Sequence, residues 1–182
     1  KIASSELDQM YRLLTRQEST TLKRAFDKWG VFDFFKDKSV LIKEIKNRNI
    51  REVYFLSSEI EKIALLKQPL YAGLMIGQLK KQFSLSIEGA DLVSKISKQF
   101  PYVIVNEAAE KSILYGKNVY SRSIISISKN IDENEVVIIL NPKREAISIG
   151  KTRFANSLLL QDDKVAVTTV IDAGSYLRSE EK

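Results

Sequence analysis

The 182-residue chain contains no cysteine and no histidine, and each absence removes a class of chemistry. Without thiols no disulfide can form. Zinc, copper and haem sites depend on thiolate or imidazole donors, so these side chains could hold only a hard, oxygen-liganded ion such as magnesium. Serine and cysteine triads lose their usual general base, and an acid–base step would fall to a carboxylate, lysine or tyrosine of shifted pKa. Long apolar runs are missing too. The longest uninterrupted aliphatic stretch, Val136 to Leu140, is far shorter than the ~20 residues of a membrane-spanning helix, and no charged-then-apolar leader opens the chain. Together these absences predict a soluble, intracellular protein and point away from catalysis.

What is present is 44% hydrophobic residues and a net charge of +6, enough for one large core or two small ones and a preference for polyanions. The charge is unevenly spread. Residues 1–100 hold 18 Lys and Arg against 12 Asp and Glu, whereas residues 101–182 hold 11 of each. A phosphate-binding face in the second half must therefore be local, offset by acids elsewhere.

Periodicity divides the chain into elements. Leu7, Met10, Tyr11 and Leu14 have helical spacing over residues 4–14. Thr15-Arg16-Gln17-Glu18 is a capping box opening a helix with Leu22, Ala25, Phe26 and Trp29 on its inner face, and Gly30 stops it. Val40 to Ile45 and Glu52 to Leu56 read as a hairpin through Lys46-Asn47-Arg48-Asn49. Ser58-Glu59-Ile60-Glu61 repeats the capping-box pattern, and Ile60, Ile63, Ala64 and Leu66 predict a helix with a core-facing side, ended by Pro69. Strands are expected within Tyr71 to Lys80 and at Phe83, Leu85 and Ile87, then a helix through Leu92, Val93 and Ile96. Gly73 and Gly77 predict close backbone packing in that sheet.

The domain boundary falls between 97 and 98, near Pro101. The expected organisation is α+β: an N-terminal α/β domain with a mainly antiparallel sheet over 1–97 and a barrel over 98–182. In the second part a helix from Glu107 to Leu114 precedes short strands near Ile124 to Ser128, Val136 to Leu140, Ala146 to Ile149 and Val165 to Val170. Asn141-Pro142-Lys143-Arg144 reads as a structural turn. The acidic groups Asp132-Glu133-Asn134-Glu135, Asp162-Asp163 and Glu180-Glu181 read as solvated loops, not as a magnesium site.

Three stretches suggest a ligand. Tyr115-Gly116-Lys117-Asn118-Val119 joins helix to strand, where a glycine lets backbone amides approach a phosphate that a lysine neutralises; taken alone an ordinary helix-capping glycine explains it better, and its place among the neighbouring motifs favours the phosphate. Gly150-Lys151-Thr152-Arg153-Phe154 sets two cations at alternate positions beside an aromatic, a composition suited to phosphate pairing and base stacking. Asp172-Ala173-Gly174-Ser175-Tyr176-Leu177-Arg178 closes the chain. A second basic group, Lys43, Lys46, Arg48 and Arg51, gathers at the first hairpin.

In their order, Ser112 to Val119, Ala146-Ile147-Ser148-Ile149-Gly150 and Asp172 to Arg178 resemble a PUA domain, a small RNA-binding barrel. With Arg51-Glu52-Val53-Tyr54-Phe55-Leu56-Ser57 and Phe83-Ser84-Leu85-Ser86-Ile87, the chain beyond about Gln17 resembles the Nip-seven family of ribosome-biogenesis factors. The resemblance implies a non-catalytic, cofactor-free monomer that binds uridine-rich or pre-ribosomal RNA in large-subunit rRNA maturation. It also implies contact with assembly factors or the RNA exosome, and residence in the cytoplasm, or in the nucleolus or nucleus of a eukaryote. Some archaeal relatives place several cations along the strand before the terminal element. Here Lys164 to Ile171 supplies only Lys164, which moves the expected surface toward Lys117, Arg122, Lys151 and Arg153. Those five cations are the expected phosphate contacts, with Tyr115 or Phe154 stacking a base. The competing reading is an adaptor that docks protein partners without touching RNA. An RNA-modifying enzyme with a PUA appendage ranks last, because about 97 residues are few for a catalytic domain and no nucleophile or cofactor loop is visible.

Overall fold

In the computed structural model, residues 9–45 and 50–175 are described. The chain divides into two compact units, Lys1–Ile96 and Ser97–Lys182.

The first unit runs β1 (Gln9–Arg12), α1 (Arg16–Lys28), α2 (Phe32–Phe35), β2 (Ser39–Ile45), β3 (Ile50–Leu56), α3 (Ser58–Lys67), β4 (Leu74–Leu79), β5 (Phe83–Leu85) and α4 (Ile87–Ile96). Its strands form an antiparallel sheet in the order β1-β2-β3-β4-β5. The expected capping box opens α1: Thr15 Oγ1 accepts from the Glu18 amide, and Glu18 Oε2 accepts from the Thr15 amide at 2.9 Å. Gly77 lies where β4 meets β5, and a Cβ there would stand 2.2 Å from the Ser84 carbonyl oxygen. Close backbone packing thus explains that glycine, as its sheet context suggested.

Two local expectations give way to tertiary contacts. The helical spacing around Met10 and Tyr11 forms a strand, β1, with Tyr11 opposite Lys43 of β2. Tyr11 is buried, packs edge-on against Tyr54 with centroids 5.3 Å apart, and has its backbone N–H and C=O both engaged by the Gln68 side chain. A four-residue strand that buries a ring against a sheet outweighs weak helix propensity. In α3 the cap is Ser57, one residue earlier than expected, with its Oγ accepting from the Ile60 amide at 3.4 Å. The helix presents Ala64 to the cluster of Tyr11, Leu41, Tyr54 and Leu56, with Leu65 beside it. Ile60, Ile63 and Leu66, expected in the core, are exposed. The tyrosine rings already occupy that space, and only a small side chain lets the helix approach.

The second unit runs β6 (Tyr102–Val105), α5 (Glu107–Leu114), β7 (Val119–Tyr120), β8 (Ile124–Ile127), β9 (Val136–Leu140), β10 (Ala146–Thr152) and β11 (Val165–Asp172). The strand order is β7-β11-β10-β9-β6-β8, with β6 and β9 parallel and all other pairs antiparallel. This sheet curls into a nearly closed barrel. Val103, Val105, Ile113, Val119, Val137, Ile139 and Val167 fill it. Both β9 and β10 are flanked by strands on each side; every residue of β9 from Val137 to Leu140 is buried, and in β10 only Lys151 is exposed. The turn after β9 is structural, as expected. Asn141 Nδ2 donates to Glu145 at 2.7 Å and to Glu110 at 3.1 Å, while Arg144 adopts φ +65°.

Candidate RNA interface

Helix α5 begins at Asn106, whose Oδ1 accepts from the Ala109 amide at 3.0 Å. It ends where Gly116, at φ +77°, donates its amide to the Ile113 carbonyl at 2.8 Å and Lys117 donates to Ser112 at 3.1 Å. Those paired bonds are the Schellman closure of a helix. The Gly116 and Lys117 amides are spent inside the turn, so capping accounts for Gly116 and neither amide is open to a phosphate. The turn is then tied to β11, with Thr169 Oγ1 donating to the Lys117 carbonyl at 2.9 Å and the Thr169 amide to Asn118 Oδ1 at 3.1 Å. Lys117 thus extends an exposed side chain from a fixed backbone.

Lys151 of β10 and Arg153 just past its end are exposed, and Thr152 between them is buried. Thr152 faces inward because its hydroxyl donates to the Asp132 carbonyl at 2.6 Å and accepts from the Glu135 amide at 3.0 Å. Lys151 lies opposite Thr168 of β11, and the Arg153 amide donates to Ala166. Across β11 from β10 lies β7, which begins two residues after Lys117. One strand separates the two sets of cations, about 10 Å at ordinary strand spacing.

Arg122 and Lys164 flank the same strands but are already paired. Arg122 Nη1 lies 2.8 Å from Asp163 Oδ2 and its guanidinium sits 5.5 Å from the Tyr120 ring centroid. Lys164 Nζ lies 3.2 Å from Asp162 Oδ2. The pair Asp162-Asp163, expected to be merely solvated, neutralises both cations. The ion pairs are solvent-exposed, so each is worth about 0–1 kcal/mol and exchangeable for a phosphate.

The two aromatic candidates differ. Phe154 packs on the barrel core, and the Lys164 ammonium stands 4.2 Å from its ring centroid. That ring is not an open platform for a base. Tyr115, at the end of α5, is 63% exposed. Lys117 and Arg122 line a pocket of about 490 Å³ together with Asn106, Ser112, Asn118 and Tyr120. Tyr120 was missed in the sequence because β7 is only two residues long and carries no readable alternation.

Of the second basic group, the two described members, Lys43 and Arg51, are both engaged within the domain. Lys43 is 3% exposed; its ammonium donates to the Leu70 carbonyl and lies 5.2–5.9 Å from the ring centroids of Tyr11, Tyr54 and Tyr71. Burial pushes its amine below the usual lysine range. Arg51 donates to Glu18 at 3.0 Å and to the Lys80 carbonyl at 3.1 Å. Strand alternation turns Lys43 inward, where the tyrosine rings cover its stem and head, and the buried Glu18 draws Arg51 in. Lys46, Arg48 and the Tyr176-Leu177-Arg178 element lie outside the described residues.

Comparison with known proteins agrees with this division. Residues 11–87 match the NIP7/UPF0113 pre-PUA domain and residues 101–181 the UPF0113 PUA domain. A UPF0113 protein of Archaeoglobus fulgidus is 31% identical over 172 residues, 93% of this chain and 95% of that protein. A probable tRNA pseudouridine synthase B of Methanocaldococcus jannaschii is 34% identical over 80 residues, confined to the PUA region and to 24% of the synthase. Among solved structures, a hypothetical protein of Pyrococcus horikoshii has a TM-score of 0.68 at 14% identity, covering 95% of this chain and 100% of that one. A conserved PUA domain protein of Thermoplasma acidophilum has a TM-score of 0.64 at 13% identity, covering 94% and 98%. With both parts matched in order and a full-length relative above 30% identity, the chain belongs to the NIP7/UPF0113 family, a pre-PUA domain followed by a PUA domain.

Proposed function

We propose that the PUA domain binds RNA along the side built by β7, β11 and β10, and that the protein works as a non-catalytic factor in ribosome biogenesis. The observation that carries this reading is the strand order. It gathers cations from four separate stretches, Lys117, Arg122, Lys151 with Arg153, and Lys164, onto three neighbouring strands and their connections. Phosphate contacts supply affinity in such an interface, and one exposed ring supplies stacking. Lys117, Lys151 and Arg153 meet phosphates directly, Arg122 and Lys164 join by releasing Asp163 and Asp162, and Tyr115 stacks a base. The RNA is uridine-rich or pre-ribosomal, and the step is large-subunit rRNA processing, with assembly factors or the exosome as partners. The family membership supports the assembly role, and the synthase named for tRNA supports RNA as the ligand class of the PUA region. The absence of histidine and cysteine supports a role without catalysis.

Fluorescence anisotropy of labelled oligouridine with the full chain tests the proposal. Reversal of Lys117, Lys151 and Arg153 to Glu abolishes binding if the face is correct. Undiminished binding by that variant refutes it. The adaptor reading is favoured by one observation, the neutralisation of Arg122 and Lys164 by their own acids. It predicts no oligouridine binding by the native chain even at low salt.

A further inference from the structure

We infer that a groove in the pre-PUA domain docks an acidic peptide segment bearing apolar anchor residues, a function beyond the RNA face. The groove encloses about 700 Å³ beside α1, α2 and the start of β2. That volume falls in the usual range of ligand sites, about 300–1,000 Å³. Leu22 and Phe26 are buried at its floor, while Leu14, Phe32 and Val40 remain half-buried on its walls and Leu13 stands exposed at its lip. Such partly uncovered apolar walls gain by burial against another chain.

The mouth chooses the partner. Arg16, Lys23, Lys36 and Lys38 surround it, all exposed, and among the described residues no carboxylate lines it. Asp33 reaches only Lys36, at 3.8 Å in an exposed pair. The Lys23 ammonium stands 5.0 Å from the Phe32 centroid and that of Lys38 stands 5.8 Å from Phe34, so two of the four charges are held at the lip by ring contacts. A peptide that buries Leu or Phe anchors while its Asp or Glu residues meet this rim is complementary in both respects. The groove also accounts for part of the positive surplus in residues 1–100, which the PUA domain does not share.

A polynucleotide fits less well. Phe26 is stacked on Phe35 with centroids 4.5 Å apart, and Phe32 already faces the Lys23 ammonium, so no open aromatic plane awaits a base. A ribose-phosphate chain, hydroxylated and charged along its length, carries no alkyl side chain to place against Leu13, Leu14 and Val40.

The test uses the full chain and a fluorescein-labelled peptide that interleaves Glu with Leu and Phe. Its controls are the same peptide with Leu and Phe replaced by Ser, the same peptide with Glu replaced by Lys, and labelled oligouridine. The acidic apolar peptide is expected to bind and to shift amide resonances of α1, α2 and β2. The Lys23→Glu/Lys38→Glu variant, altered only at exposed positions, is expected to weaken it at least about tenfold and to leave oligouridine affinity unchanged. Leu13→Glu, also exposed, is expected to weaken it too. Absence of binding at millimolar peptide overturns the inference. So does equal binding of the Ser-substituted peptide, undiminished binding by the rim variant, or oligouridine shifting the same resonances. The RNA proposal is judged separately, by the Lys117, Lys151 and Arg153 variant.

Discussion

Glu18 accepts from both terminal nitrogens of Arg12, Oε2 from Nη1 and Oε1 from Nη2, each at 2.8 Å. The same carboxylate caps α1 through the Thr15 amide and receives Arg51 of β3, while Arg12 also binds Glu44 of β2. One buried acid therefore joins β1, α1 and β3, and Arg12 extends the network to β2. The Arg12 bonds hold the Glu18 carboxyl down at about 2, aided by the Thr15 amide and Arg51 against the opposing effect of burial.

A carboxyl depressed in the folded state stabilises above its unfolded pKa and loses that contribution as pH falls through its folded value. Relative to the usual 4.5 the depression to about 2 corresponds to about 3 kcal/mol. Urea denaturation is expected to show this stability in full above about pH 4.5 and fading toward pH 2. Glu18→Gln is expected to lose about 2–4 kcal/mol at neutral pH, because it leaves charged partners short of their counter-ion, and to flatten the acid dependence. An unaltered acid profile in Glu18→Gln would show that other carboxyls govern it.

RNA affinity is expected to depend steeply on salt. With about four phosphates neutralised on single-stranded RNA, log affinity falls against log salt with a slope near −3. Lys151→Ala, removing one of those contacts, is expected to lower the slope by about 0.7. Titrations at several salt concentrations measure both.

Asp162 and Asp163 compete with phosphate for Lys164 and Arg122. Asp162→Asn/Asp163→Asn is therefore expected to tighten oligouridine binding. Two exposed pairs worth about 0.2–1 kcal/mol each set the gain at about two- to thirtyfold. Weaker binding in this variant would mean that the acids position the cations instead of restraining them.

Lys43 is expected to matter for folding and not for RNA. Lys43→Glu, which buries an acid among Tyr11, Tyr54 and Tyr71, is expected to cost at least about 3 kcal/mol in urea denaturation. Lys43→Met, which keeps the apolar stem, is expected to leave oligouridine affinity within about twofold of the native value. A large loss of RNA affinity in a folded Lys43→Met would restore it to the interface.

Some features were legible because they are local. Thr15 and Glu18 sit three residues apart, which is all a capping box requires. The apolar runs at Val136 to Leu140 and Ala146 to Ile149 became β9 and β10, and Asn141 to Arg144 became the turn between them. The alternation of Lys151, Thr152 and Arg153 forecast which two would be exposed. Other features were not legible. Ile60 and Ile63 have core-like spacing, yet the rings of Tyr11 and Tyr54 occupy the place they would fill. Lys43 looked like a surface cation, since nothing nearby in sequence announces tyrosines at positions 11, 54 and 71. The free appearance of Arg122 failed likewise, for Asp163 lies 41 residues away, whereas the partner of Lys164, Asp162, sits only two positions off and was read as solvated.

From its residues alone the chain declared two apolar cores, a chemistry without thiols or imidazoles, most of its helices and strands, and a basic first half. These follow from composition and from spacings of a few residues, where backbone geometry leaves few choices. Which cations remain free was settled only when β7, β11 and β10 came together and when Glu18 and the tyrosines drew Arg51 and Lys43 inward. The reason is that solvation and charge pairing depend on neighbours in space, and the partners of Arg51 and Arg122 were tens of residues away along the chain.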